Sequence, residues 1–209
     1  MGVLVIDGVA VEVPFATRTQ IGVLPTRART KPVRQIILHH DACRSAADCI
    51  RALQFRQLST HCIIDNDGTV VQVADLGRVA WHAKGEYKNA AGKTLWAVGF
   101  NRQSIGIDIS NAVLPKYANA YKPPREQVTL PVHSKPMTGL LPYPCQVDAT
   151  VALVRFLCTH FDIPLTSRPG LEWLGDITPT TPGVWGHAQI CQAKCDPFGF
   201  PFELIAEGV

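Results

Sequence analysis

Two short, almost uninterrupted apolar runs constrain this chain more than anything else in it: RQIILHH at 34–40 and SIGIDIS at 104–110. Runs of this kind form strands buried at the centre of a sheet. Such strands need cover, and the chain supplies two helical patterns. SAADCIRALQF places Ala47, Ile50 and Leu53 at helical spacing behind the start signal Ser45. From Cys145, QVDATVALVRFLCTHFDIP repeats apolar residues at Val147, Val151, Val154, Leu157 and Phe161 until Ile163-Pro164 closes the period. The expected class is α/β (α+β): a central mixed β-sheet flanked by helices.

The remaining segments fill in the plan. VLVIDGVAVEV alternates apolar and polar residues about Asp7-Gly8, which reads as an N-terminal β-hairpin extension. Residues 15–34 are a basic, Pro-containing connector. HCIIDNDGTVVQVAD reads as two strands about a turn at Asn66-Asp67-Gly68. Residues 111–144 contain seven Pro and read as an irregular loop, too long for an ordinary connection. A second Pro/Gly-rich loop is expected at 165–185. The domain plan is therefore a hairpin and connector over 1–34 and one main domain over 35–209.

Composition removes several function classes. Hydrophobic residues make up 46% and charged ones 18%, enough for a core and unlike a disordered chain. The net charge is a mild +3, with no Arg/Lys stripe interleaved with aromatics, which argues against nucleic acid as partner. No stretch approaches the ~20 apolar residues of a membrane span. The N-terminal run has no basic leader and is interrupted by Asp7 and Glu12, so no signal peptide is expected. Seven cysteines is an odd number; free thiols are expected, with a Cys43–Cys49 bridge as the alternative.

Near the C-terminus, WGHAQICQAKCDPFGFP (185–201) brings His187, Cys191, Cys195 and Asp196 together. A redox pair lacks its CxxC, and a closed structural zinc site lacks the usual C-x2-C turns. A catalytic zinc needs only three protein ligands and an open position, so it can join distant segments. His39 or His40, at the end of a buried strand where side chains emerge into a crevice, is placed to meet His187 and Asp196.

In order, IILHH (36–40), STHCIIDNDGTVVQVAD (59–75), AWHAKG (80–85), SIGIDIS (104–110), the helix from 145 and GHAQICQAKCDP (186–197) resemble the zinc-dependent N-acetylmuramoyl-L-alanine amidases of the type-2 group. That group includes phage lysozyme-type amidases, bacterial anhydro-muropeptide amidases and animal peptidoglycan recognition proteins. The resemblance covers most of 35–202 and leaves out residues 1–30 and 111–144.

What the resemblance implies can be placed residue by residue. One Zn2+ would be held by His39, His187 and Asp196, with Cys195 as the alternative third ligand; His40 would point to the other face of its strand. Lys194 would stabilise the oxyanion. The acid/base position, Glu in many relatives, is Asp108 here, and a position that is often Tyr is Thr60. Trp81 and His82 would form a substrate wall, Trp81 being equally readable as core, and Asn101 would fix a loop. The implied substrate is peptidoglycan or a muropeptide, cut between N-acetylmuramic acid and L-alanine. Without a signal peptide, the expected setting is a phage-type lytic enzyme held in the host cytoplasm before release to the wall. A cytosolic recycling amidase, a non-catalytic peptidoglycan-binding module and a virion component are the alternatives.

Overall fold

A computed structural model describes residues 1–97 and 99–206. In chain order its elements are β1 Gly2–Ile6, β2 Val9–Val13, β3 Thr17–Thr19, β4 Arg27–Ala28, β5 Gln35–His40, α1 Ala46–Arg56, β6 Cys62–Ile64 and β7 Val70–Gln72. Then come β8 Arg78–Val79, β9 Gly85–Lys88, β10 Thr94–Ala97, α2 Phe100–Gln103, β11 Ser104–Ile109 and a 3-10 helix at Pro115–Ala120. The chain continues with β12 Gln127–Val132, β13 Lys135–Leu140, α3 Pro144–Phe161, β14 Gly183–Gly186, α4 His187–Ile190 and α5 Glu203–Ala206.

Six strands make the central sheet in the order β14-β5-β11-β6-β7-β3. The first four are mutually parallel, β6 and β7 are antiparallel, and β3 runs parallel to β7, so the sheet is mixed as expected. The two apolar runs are its central pair: β5 is flanked by β14 and β11, and β11 by β5 and β6.

Strand alternation divides the two faces. Ile36 and Leu38 of β5 and Ile105, Ile107 and Ile109 of β11 join one core with Leu153, Val154 and Leu157 of α3. The three α3 side chains are fully enclosed, and burial of this kind stabilises by roughly 1.5–3 kcal/mol for each. Ile37 faces the other way, into a core with Phe100, Trp185 and Ile190. His39, Gly106 and Asp108 share that second face by period-2 spacing.

Local chemistry sets the ends of the elements. Asp7 and Gly8 both have positive φ, 51° and 77°, the conformation a two-residue hairpin turn demands. Ser45 accepts the Asp48 backbone N–H at 3.2 Å and starts α1 as expected. The hairpin β1–β2 is tied down by the Asp75 carboxylate, which accepts from the N–H groups of Asp7 and Gly8 at 2.8 and 2.7 Å.

Residues 111–144 differ from the long irregular loop read in the sequence. They hold the 3-10 helix and the antiparallel hairpin β12–β13, with Thr129 and Thr138 hydrogen-bonded across it at 2.8 Å. The seven Pro mislead because Pro131 and Pro136 face each other across that two-stranded ribbon, where a lost N–H is tolerated. The insert is held by Arg125, 4% exposed, whose guanidinium lies between the rings of Tyr121 and Tyr143 at 4.4 and 4.1 Å. It donates to the carbonyls of Ser110 and Leu141 and to the side-chain oxygens of Asn66 and Gln146. A second hairpin, β9–β10, follows AWHAKG and has no counterpart in the sequence reading. All seven cysteines are free thiols.

Candidate metal centre and active-site cleft

The C-terminal ends of parallel strands are where an open α/β sheet presents side chains to a crevice. His39 is the penultimate residue of β5, Asp108 that of β11, and His187 follows directly on β14. Asp196 arrives on a loop that is closed back on α4, its carbonyl accepting from the Ala188 N–H at 2.8 Å. The Gln192 N–H, donating to Glu86 Oε1 at 2.8 Å, fixes the middle of the same loop to β9.

Three ligand atoms converge there. His39 Nδ1 lies 3.1 Å from His187 Nδ1 and 2.9 Å from Asp196 Oδ2, and His187 Nδ1 lies 3.1 Å from the same oxygen. Ligands about 2.0–2.1 Å from a tetrahedral ion are ~3.3 Å apart, close to this triangle. All three residues are buried, and they are the group of His, Cys and acidic side chains among the described residues that could hold a metal ion. The His187 Nε2–H donates to the Lys84 carbonyl at 3.2 Å, so its Nδ1 carries a lone pair toward the triangle.

Burial, reinforced by His187 and Lys194 and opposed by Asp196, pushes the His39 imidazole down to about 4. Burial would raise the Asp196 carboxyl, but the His187 and His39 rings beside it hold it well below the usual carboxylate range. Two imidazoles and one carboxylate at this spacing are a donor set that a divalent cation satisfies.

The triangle opens into a cleft of about 320 Å³ whose walls include Asp41, Trp81, Asp108, Lys194 and Cys195. A neighbouring groove of about 570 Å³ shares Trp81, His82, His187 and Lys194 with it. Trp81 is part-exposed with Arg27 stacked on its ring at 4.7 Å, so it is a wall of the cleft and not a core residue. Lys194 is exposed, and its carbonyl accepts from His133 Nε2 at 2.7 Å, a contact that ties the β12–β13 hairpin to the ligand loop.

Burial pushes the Asp108 carboxyl well above its usual range; the Asp41 and Asp196 carboxylates add to this, and the Thr60 hydroxyl opposes it. Thr60 is fully enclosed. Its oxygen is near enough to Asp108 to favour the carboxylate, yet it makes no hydrogen bond of good geometry. His40 points away from the triangle and accepts the Phe198 N–H at 3.1 Å. Asn101 Oδ1 accepts from the His82 and Ala83 N–H groups at 3.0 and 2.7 Å, fixing the AWHAKG segment. His82 turns out to lie behind His39, with Nδ1 at 3.0 Å from His39 Nε2 and Nε2 at 3.1 Å from Ser104 Oγ.

Sequence reasoning missed Asp41, Ser104 and the Lys84 carbonyl. Asp41 follows His39-His40 at the same strand end and was open to the same inference. The role of Lys84 is a backbone one, which no side-chain pattern reveals.

The sequence pattern of the N-acetylmuramoyl-L-alanine amidase family matches residues 29–199. The chain belongs to this family. Solved structures with the same fold include AmpDh3 from Pseudomonas aeruginosa, in complex with an anhydromuramic pentapeptide. It is 20% identical, with a TM-score of 0.56 over 87% of this chain and 62% of that one. The endolysin amidase LysCS from Clostridium intestinale is 17% identical, with a TM-score of 0.54 over 93% and 94%. Drosophila PGRP-LB is 18% identical, with a TM-score of 0.50 over 92% and 95%. A comparison with curated protein sequences gave no match. The amidase match includes the ligand triangle and stops at Gly199; the β1–β2 hairpin lies outside it. No helix among the described residues is long and apolar enough to cross a membrane.

Proposed function

We propose that this amidase hydrolyses the bond between the lactyl group of N-acetylmuramic acid and L-alanine in bacterial peptidoglycan, using one Zn2+ held by His39, His187 and Asp196, as a phage-type lytic enzyme. The observation that carries this reading is the convergence of two imidazole nitrogens and a carboxylate oxygen within 3.1 Å of one another, in a cleft also lined by Lys194 and Asp108.

Zinc bound there supplies Lewis acidity, acidifying a water and polarising the amide carbonyl. The chain's own groups divide the remaining work. The Lys194 ammonium, exposed on the cleft rim, stabilises the negative charge that develops on the carbonyl oxygen. The Asp108 carboxylate, made more basic by its burial, takes a proton from the attacking water and passes it to the leaving amine. Trp81 offers an aromatic face to a sugar ring, and the cleft with its adjoining groove gives a peptide stem room to extend. The charge of +3 favours the anionic whole wall as substrate.

Purified peptidoglycan digested with the protein and analysed by mass spectrometry, alongside metal analysis, tests the reading. Zinc near one per chain with new free L-alanine N-termini is the expected result. Stoichiometric zinc with no cleavage across wall types would make the chain a binding module instead.

A further inference from the structure

The triangle needs both imidazoles to present Nδ1 without a proton. For His187 the Lys84 carbonyl enforces this. The partner of His39 Nε2 is another histidine, which accepts or donates according to its own proton, so the question passes to His82 and Ser104.

The chain of hydrogen bonds has one polarity. Phe100 offers a carbonyl, which only accepts, and Ser104 Oγ lies 2.6 Å from it, so the single hydroxyl proton of Ser104 is committed there. Ser104 Oγ then has only lone pairs for His82 Nε2 at 3.1 Å, and that nitrogen carries the ring proton of an uncharged His82. His82 Nδ1 is left bare and accepts from His39 Nε2 at 3.0 Å. A proton on His39 Nε2 leaves Nδ1 free to face Asp196 and His187.

We propose that His82 is a positioning residue for the metal centre, the middle of a relay from the Phe100 carbonyl through Ser104 and His82 that fixes the tautomer and ring orientation of His39. Both of its ring nitrogens are occupied within the protein, so neither is free to hydrogen-bond substrate. The assignment rests on the zinc reading given above. Packing supports the relay. His82 meets His39 edge to face, at 5.2 Å between centroids and 85° between planes. It also lies over Gly106, where an added Cβ would come within 2.4 Å of the imidazole. Segment 82–84 thus serves both histidine ligands, His39 through a side chain and His187 through the Lys84 backbone, and Asn101 holds that segment in place.

The test separates the relay from catalysis. In 15N-labelled, zinc-loaded protein, the proton between His39 and His82 should be bonded to His39 Nε2 and show coupling across the hydrogen bond to His82 Nδ1. Zinc affinity by chelator competition should weaken about 10–100-fold in His82→Leu, as is usual for a lost partner of a metal-bound histidine. Ser104→Ala should weaken it less. His82→Gln, whose amide oxygen accepts as Nδ1 does, should restore most of the affinity. Thermal melting of the metal-free variants checks that they fold.

A proton residing on His82 Nδ1, or wild-type zinc affinity in a folded His82→Leu protein, overturns the relay. Intact coupling and affinity effects without hydrolysis would leave the relay standing and remove the amidase reading. A wild type that binds no zinc removes both.

Discussion

Asp108 and His39 are register partners on the adjacent parallel strands β11 and β5, and their side chains leave the sheet on the same face into the same cleft. A carboxyl made more basic by burial therefore stands beside a candidate metal ligand without belonging to the ligand triangle. Asp108→Asn should leave zinc near one per chain and lower kcat by about 10²–10⁴-fold, the range for a lost acid/base. Hydrolysis at the wild-type rate would remove Asp108 from the proton-transfer step.

The third ligand separates two neighbouring side chains. Asp196 faces both imidazoles, whereas Cys195 is half-buried against the main core and its thiol is pushed up by burial. Cys195→Ser should keep zinc and most activity, while His187→Ala and Asp196→Ala should lose both. Metal analysis of the three purified variants decides the point; zinc lost from the Cys195 variant would reassign the ligand.

Lys194 acts on the transition state in this scheme. Lys194→Ala should reduce kcat about 10²-fold with little change in KM or zinc content, as removal of an oxyanion-stabilising group does. A change confined to KM would make it a substrate contact instead.

A pH-dependent contribution to stability is expected from Asp41. Its carboxylate accepts from the N–H groups of Cys43 and Asn111 and from the Ser110 hydroxyl, yet burial outweighs these bonds and raises it to about 7. The folded value lies above the unfolded one, so the folded chain binds the extra proton. The stability this gives is complete below about pH 4 and is lost as pH rises through 7. Discounted for the partial exposure of the residue, the loss is about 1–2 kcal/mol. Denaturant titrations of the metal-free protein from pH 4 to 8 should show this decline, and Asp41→Asn should flatten it.

Arg125 anchors the insert through two aromatic faces and four acceptors. Arg125→Ala should cost about 3 kcal/mol, a lowering of Tm by roughly 6–12 °C for a chain of this size, read by thermal melting.

The site and the fold were legible in the sequence to different depths. The buried strands announced themselves because IILHH and SIGIDIS leave no alternative to full burial, and the helices because their apolar period is long. Residues 111–144 were misread since Pro marks a break in any single strand, while an exposed ribbon tolerates it at Pro131 and Pro136. The three candidate ligand residues could be named from motif order, and they do converge. The tethering of His39 to His82 and of His187 to the Lys84 carbonyl could not be, because hydrogen-bond polarity depends on distances between segments far apart in the chain.

The position of β14 at the edge of the sheet has a consequence during synthesis. β5 is made early and can pair with β11 once residue 109 has emerged, but its other edge stays open until 183–186 follow. The same late strand carries His187 to its place beside His39. A nascent chain therefore holds an unpaired apolar edge and a divided site until residues 183–196 have been made, and the strand that closes the edge is the one that brings His187 to the centre.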